Sequence, residues 1–138
     1  MASLLTEVKW INMSTITDSR GCLTAIESAI DIPIEIKRIF YMHNIVAGRG
    51  GHAHIDTDQV IIAINGTFTV TLSDSESRQV YKFNTAEQGL YVPRLTFTDL
   101  YDFSPDAVCV VLANTHYNIG MSLRTWDDYI SYLKKNNI

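Results

Sequence analysis

His52 and His54 stand one residue apart in the stretch Arg49-Gly50-Gly51-His52-Ala53-His54. Side chains on a strand alternate in direction, so the two imidazoles share one face and Ala53 takes the other. An ordinary imidazole titrates at about 6.5, which suits it to proton transfer near neutrality. Three roles fit such a pair: two legs of a metal site, a proton-transfer couple, or two buried histidines with ordinary hydrogen-bond partners. The metal role needs more ligands, because well-held sites use three or four protein donors. The inert role is costly, because two polar rings side by side lose water on burial and gain nothing specific.

The elements that must position this pair read as strands. Three glycines, Gly48, Gly50 and Gly51, surround Arg49 and allow a sharp backbone turn just before the histidines. Gln59 to Ile64 reads as a buried strand, and Asn65-Gly66 as a tight hairpin turn into Thr67 to Leu72. In that last run Phe68, Val70 and Leu72 alternate with Thr67, Thr69 and Thr71, which predicts apolar side chains inward and threonines outward. Upstream, Thr6 to Met13, Leu23 to Glu27 and Ile34 to Asn44 read as strands, with Asp18-Ser19-Arg20-Gly21 a turn that Arg20 braces. In the third, Arg38, Phe40 and Met42 share one face and Ile39, Tyr41 and His43 the other; periodicity does not say which looks inward. Downstream, Gln79 to Phe83, Gly89 to Pro93, Phe97 to Phe103 and Ala107 to Ala113 follow at near-regular spacing, the pattern of a sandwich or barrel. Only the tail is helical, over about residues 125–136. Trp126, Tyr129, Ile130 and Leu133 form a stripe, Thr125 caps the start, and acidic and basic ends match the helix dipole.

At 138 residues the chain is expected to form one domain with a real core. A net charge of -4 argues against nucleic-acid or anionic-membrane binding, though a few arginines in one pocket can still hold a small phosphorylated ligand. Cys22 and Cys109 are isolated and are expected to be reduced structural thiols. The stretch Met1 to Trp10 lacks a signal-peptide pattern, and no apolar run reaches the ~18 residues of a membrane span. The expected setting is the cytoplasm.

The spacing from His52 and His54 through Gln59 to Gly66 resembles the first motif of the cupin superfamily, small β-barrels or jelly rolls. Metal-binding cupins usually carry Glu at the position of Gln59, and a later His where Thr98 stands here. More of the chain is similar to the sugar 3,4-ketoisomerases, cupin-type enzymes that act on dTDP-4-keto-6-deoxy-glucose. The residues that carry the likeness are Asp18-Ser19-Arg20-Gly21, Ile36-Lys37-Arg38, Arg49-Gly50-Gly51-His52-Ala53-His54, Gln59, Asn65-Gly66, Gly89-Leu90-Tyr91-Val92, Tyr101-Asp102-Phe103-Ser104 and Val111-Leu112-Ala113. The resemblance implies an all-β, cupin-like jelly-roll barrel with a short C-terminal α-helix. It also implies a homodimer, no cofactor and no metal, a dTDP-linked keto sugar inside the barrel, and His52 and His54 at the active site. Many members carry an aromatic-His pair where this chain has Phe97-Thr98, so the orientation of the sugar ring is left open.

Moving a carbonyl from C4 to C3 means removing the C3 proton, passing through an enediol and returning a proton at C4. One histidine is expected to be the base, with His54 favoured, and the other to relay the hydroxyl proton. Tyr41, or the second histidine, is the expected donor to the enediolate oxygen. Arg38 and Arg49 are expected on the diphosphate, with a solvated surface role as the alternative. Gln59 binds a sugar hydroxyl or satisfies backbone groups; His43 and His116 are expected to be structural or at the surface. Three other functions stay open: a non-catalytic sugar-binding cupin, a metal-dependent cupin oxygenase, and the neighbouring 3,5-epimerisation.

Overall fold

A computed structural model describes residues 4–138, so the start of the Met1–Trp10 stretch lies outside the described residues. After a 3₁₀ turn at Leu4–Glu7 come β1 (Lys9–Asn12), β2 (Ser14–Asp18), β3 (Gly21–Ala25), β4 (Arg38–Met42), β5 (Arg49–His54) and β6 (Gln59–Asn65). Then follow β7 (Phe68–Ser73), β8 (Arg78–Phe83), β9 (Gln88–Val92), β10 (Phe97–Tyr101), β11 (Val108–Ala113), β12 (Ser122–Leu123) and α1 (Trp126–Lys135). Two five-stranded antiparallel sheets form, β1-β9-β6-β11-β4 and β12-β5-β10-β7-β8, with β2-β3 standing apart as a hairpin. The expected all-β jelly-roll architecture is the one the chain adopts.

The sheets pack face to face. Ile61, Ala63, Leu90 and Val111 of the first sheet meet Phe68, Val70, Leu72, Phe83 and Leu100 of the second. Each large apolar side chain buried this way contributes roughly 1.5–3 kcal/mol. The first sheet is covered on its back as well: Ile32 and Ile34, from the long connection before β4, lie over Val60, Ile62 and Leu112. This two-sided burial explains why Val60-Ile61-Ile62-Ala63 is a continuous apolar run rather than an alternating one. On the back of the second sheet sits α1, with Tyr129 and Leu133 against Ala53 and Phe97. Thr125 caps that helix, its side chain accepting from the Asp128 N–H, as the sequence predicts.

Three strand expectations need correction. Asn65-Gly66 does not close a hairpin, because β6 and β7 belong to opposite sheets; the turn carries the chain from one layer to the other. Gly66 has φ 69° there, and a Cβ would meet the Ala107 Cα at 2.8 Å, so glycine is required. The strand expected from Ile34 starts only at Arg38, because Ile34 and Ile36 are spent covering the first sheet. Thr69 and Thr71 are buried rather than outward in water; the Thr71 hydroxyl pairs with the Tyr101 hydroxyl at 2.7 Å.

Candidate active site

The histidine pair is set by a bulge in β5. Thr98 of β10 pairs with His52 and Asp99 with Gly50, which leaves Gly51 as an extra residue between them. Both glycines have positive φ, 115° at Gly50 and 71° at Gly51. A Cβ on Gly50 would lie 2.5 Å from the Thr98 carbonyl oxygen, so no larger residue fits this close approach of backbones. Beyond the bulge the strand alternates regularly. Ala53 points out beneath α1, and His52 and His54 point into the barrel with ring centroids 5.1 Å apart and planes at 87°.

Two cavities meet at the His52 ring. The outer one, about 460 Å³, is bordered by both histidines, by Arg38, Arg49 and Arg124, and by Tyr117. The inner one, about 270 Å³, runs deeper between the sheets past His52, Gln59 and Thr98 to Met42, Ile61, Leu100 and Val111. His52, Phe40, Arg49 and Arg124 border both. The mouth is therefore cationic and the floor apolar.

No described carboxylate neutralises those arginines. The ion pairs among the described residues are Arg20–Asp18 and Arg94–Asp58, both elsewhere. Arg38 lies across two rings, its guanidinium carbon 5.4 Å from the centroid of Phe40 and 5.5 Å from that of Tyr117, and its buried Nε has no hydrogen-bond partner. A planar cation held by aromatic faces with an unspent donor is prepared for an anion.

Burial and positive neighbours keep both imidazoles neutral. His54 is pushed down to about 4 by burial first, then by His52, Arg38 and Arg124, with Asp56 acting the other way. His52 is lowered by burial and by Arg124, against the Gly50 backbone and Asp99, which raise it. Ser122 Oγ makes only a long contact, 3.5 Å, to His54 Nδ1. Among the described residues no group of three or more His, Cys, Asp and Glu side chains is placed to hold a metal ion.

The model of the family described as "FdtA: WxcM-like, C-terminal" matches residues 6–134. The chain belongs to the FdtA family. It is 37% identical over 134 residues to a TDP-4-oxo-6-deoxy-alpha-D-glucose-3,4-oxoisomerase of Aneurinibacillus thermoaerophilus, covering 96% of each chain. A crystal structure of QdtA, a sugar 3,4-ketoisomerase of Thermoanaerobacterium thermosaccharolyticum, in complex with TDP, superposes with a TM-score of 0.92 at 34% identity, covering 97% of this chain and 99% of the other. A point variant of that enzyme, solved with TDP-4-keto-6-deoxyglucose, superposes with a TM-score of 0.89 at 34% identity, covering 93% and 94%. The resemblance read from the Arg-Gly-x-His-Ala-His block therefore holds.

Within this FdtA-family site, the structure brings together His52, His54, Arg38, Arg49 and Gln59 as the sequence suggests. Tyr41 is the exception. Phe40 and Met42 pack on the core, so alternation along β4 turns Tyr41 outward, where it is 63% exposed and its ring lies 5.6 Å from that of His43. It therefore cannot donate to a ligand in this chain's own cavity, and the donor role expected of it is corrected. His43 and His116 are exposed, in line with a surface role. Sequence reasoning missed Arg124 and Tyr117. Both lie in the irregular stretch after β11, and no spacing rule links such loop residues to a strand so much earlier in the chain.

Proposed function

We propose that this chain is a nucleotide-sugar 3,4-ketoisomerase that moves the keto group of dTDP-4-keto-6-deoxyglucose from C4 to C3. What carries the reading is the position of His52, neutral and at the junction between a mouth of unpaired arginines and an apolar inner chamber. The diphosphate lies against Arg38, Arg49 and Arg124, and the sugar enters the inner cavity, where Met42, Ile61, Leu100 and Val111 offer the C6 methyl an apolar wall. His52 takes the C3 proton, and the C3–H electron pair becomes the C3=C4 bond while the C4 oxygen gains the negative charge. His54, also neutral, passes the O3 hydroxyl proton to the C4 oxygen. A proton returned to C4 leaves the carbonyl at C3, with no net oxidation or reduction. This assignment makes His52 the base, in place of His54, because His52 borders both cavities and His54 only the outer one. Positioned acid–base catalysis of this kind contributes ~10²–10⁴-fold.

The donor set suits a reaction without a metal: His52 shares its cavity with Gln59 and Thr98, neither of which is a usual zinc ligand. We place the working enzyme in the cytoplasm as a homodimer. Support for the dimer comes from the β2–β3 hairpin, whose cross-strand pair Ile16 and Leu23 is exposed. Incubation with dTDP-4-keto-6-deoxyglucose in D₂O, followed by NMR, tests the reading. The expected result is a 3-keto product with solvent deuterium entering at C4 and none at C5. Binding without turnover or C3 exchange would make the chain a sugar-binding module, and label at C5 would make it a 3,5-epimerase.

A further inference from the structure

The inner cavity holds one polar side chain that no described residue hydrogen-bonds. Gln59 opens β6 on the face shared with Ile61 and Ala63, so its side chain points between the sheets. It is 6% exposed and borders the inner cavity, yet its amide makes no hydrogen bond to any described residue. The buried side-chain atom left without a partner among the described residues is Arg38 Nε, so the Gln59 amide is open to the cavity rather than sealed in the core. An unpartnered amide facing a cavity is what remains when its partner is the ligand.

The mechanism needs such a group. With Tyr41 outside, the donor expected by sequence is the second histidine, and His54 borders only the outer cavity, so the inner cavity still lacks a donor to the enediolate. The Thr98 hydroxyl donates to the Thr96 carbonyl at 3.2 Å, Arg38 stands at the mouth, and Arg49 and Arg124, which border both cavities, are assigned to the diphosphate. We propose that Gln59 reads the reacting α-hydroxy ketone directly. Its NH₂ donates to the C4 oxygen as negative charge develops there, while its carbonyl accepts from the C3 hydroxyl until that proton passes to His54. A primary amide carries donor and acceptor side by side, matching a vicinal carbonyl and hydroxyl. Rotation of the amide by half a turn matches the product, in which the two oxygens have exchanged roles. An uncharged donor also leaves His52 neutral, which a cation in the same place would favour further and a carboxylate would oppose.

This inference rests on the ketoisomerase reading, so the test carries wild type, Gln59→Leu and Gln59→Glu side by side. Leucine removes donor and acceptor; glutamate keeps the shape but replaces the donor with an anionic acceptor. The expected result is a fall in kcat of about 100–1,000-fold in both variants, as for loss of an oxyanion donor. C3 exchange in D₂O should fall in parallel, while affinity for TDP, which lacks the sugar, stays within about twofold. Turnover within about threefold of wild type in either variant would overturn the inference and leave the ketoisomerase reading intact. Loss of TDP binding in both variants would make the residue structural and overturn it too. Failure of wild type to turn the substrate over would remove the underlying reading, and this inference with it.

Discussion

A base is useful only in its unprotonated form, and both imidazoles are held below the ordinary histidine value. His52 therefore stays available at pH values where a free imidazole is already largely protonated. The acid limb of kcat/KM is expected to fall below pH 6.5, with a flat profile through neutrality, checked by initial rates across pH 5–9. The same depression opposes folding in acid. A histidine whose folded value lies below its unfolded one binds its proton more readily unfolded. Stability is therefore full above about pH 6.5 and declines as pH falls toward about 4, where His54 titrates in the folded state. His54→Asn is expected to flatten that decline in thermal melts. His52→Asn is expected to remove isomerisation and C3 exchange while TDP binding survives; turnover near wild type would remove His52 as the base. At this scale the sequence was informative where chemistry lies close in the chain, as with His52 and His54. It was silent where the fold joins distant loops, as with Arg124 and Tyr117, and ambiguous at Tyr41, because alternation fixes which residues share a face but not which face is buried.

At the scale of the element, the histidines depend on a count of residues rather than on contacts. Gly51 is the extra residue in β5, and the bulge sets the phase of everything after it. A shift of one residue would send His52 and His54 under α1 and bring Ala53 into the cavity. Gly50→Ala puts a side chain at φ 115° and 2.5 Å from the Thr98 carbonyl oxygen, so one of the paired backbones must move. The expected cost is about 2 kcal/mol or more, read as a fall in Tm of about 5 °C or more, with activity lost more completely than TDP binding. Melts and activity matching wild type would show that the bulge does not set the histidines. The glycine cluster is visible in the sequence as a sharp turn. That it is a bulge against β10 is not, because the partner strand lies over 40 residues away and register between distant strands leaves no local mark. The Asn65-Gly66 turn misleads for a related reason: the same dipeptide that closes a hairpin also serves a crossing between sheets, and only the pairing of β6 and β7 distinguishes the two.

At the scale of the whole molecule, the β2–β3 hairpin is the part that a single chain leaves unexplained. A two-stranded hairpin is marginal by itself in water, and this one joins neither five-stranded sheet. Its turn is braced locally, Arg20 meeting Asp18 at 2.6 Å. Its cross-strand pair Ile16–Leu23 is nonetheless apolar and open, 64% and 62% exposed. Apolar pairs of this kind are ordinarily covered. β4 is an edge strand of the first sheet with Ile39 and Tyr41 exposed on its outer face, so a second copy has apolar surface to offer in return. If the hairpin supplies the proposed dimer contact, replacing both members of its pair with charged residues should separate the subunits without touching the cavity. Sedimentation of wild type is expected at twice the chain mass, and of the Ile16→Asp, Leu23→Asp variant at one. A monomeric wild type at assay concentration would remove the dimer, and a dimeric variant would place its contact elsewhere. Turnover by the separated variant then decides what assembly is for. Unchanged kcat would make each chain's cavity complete, while a loss of kcat with TDP affinity retained would mean that the sugar end of the site needs the neighbouring subunit.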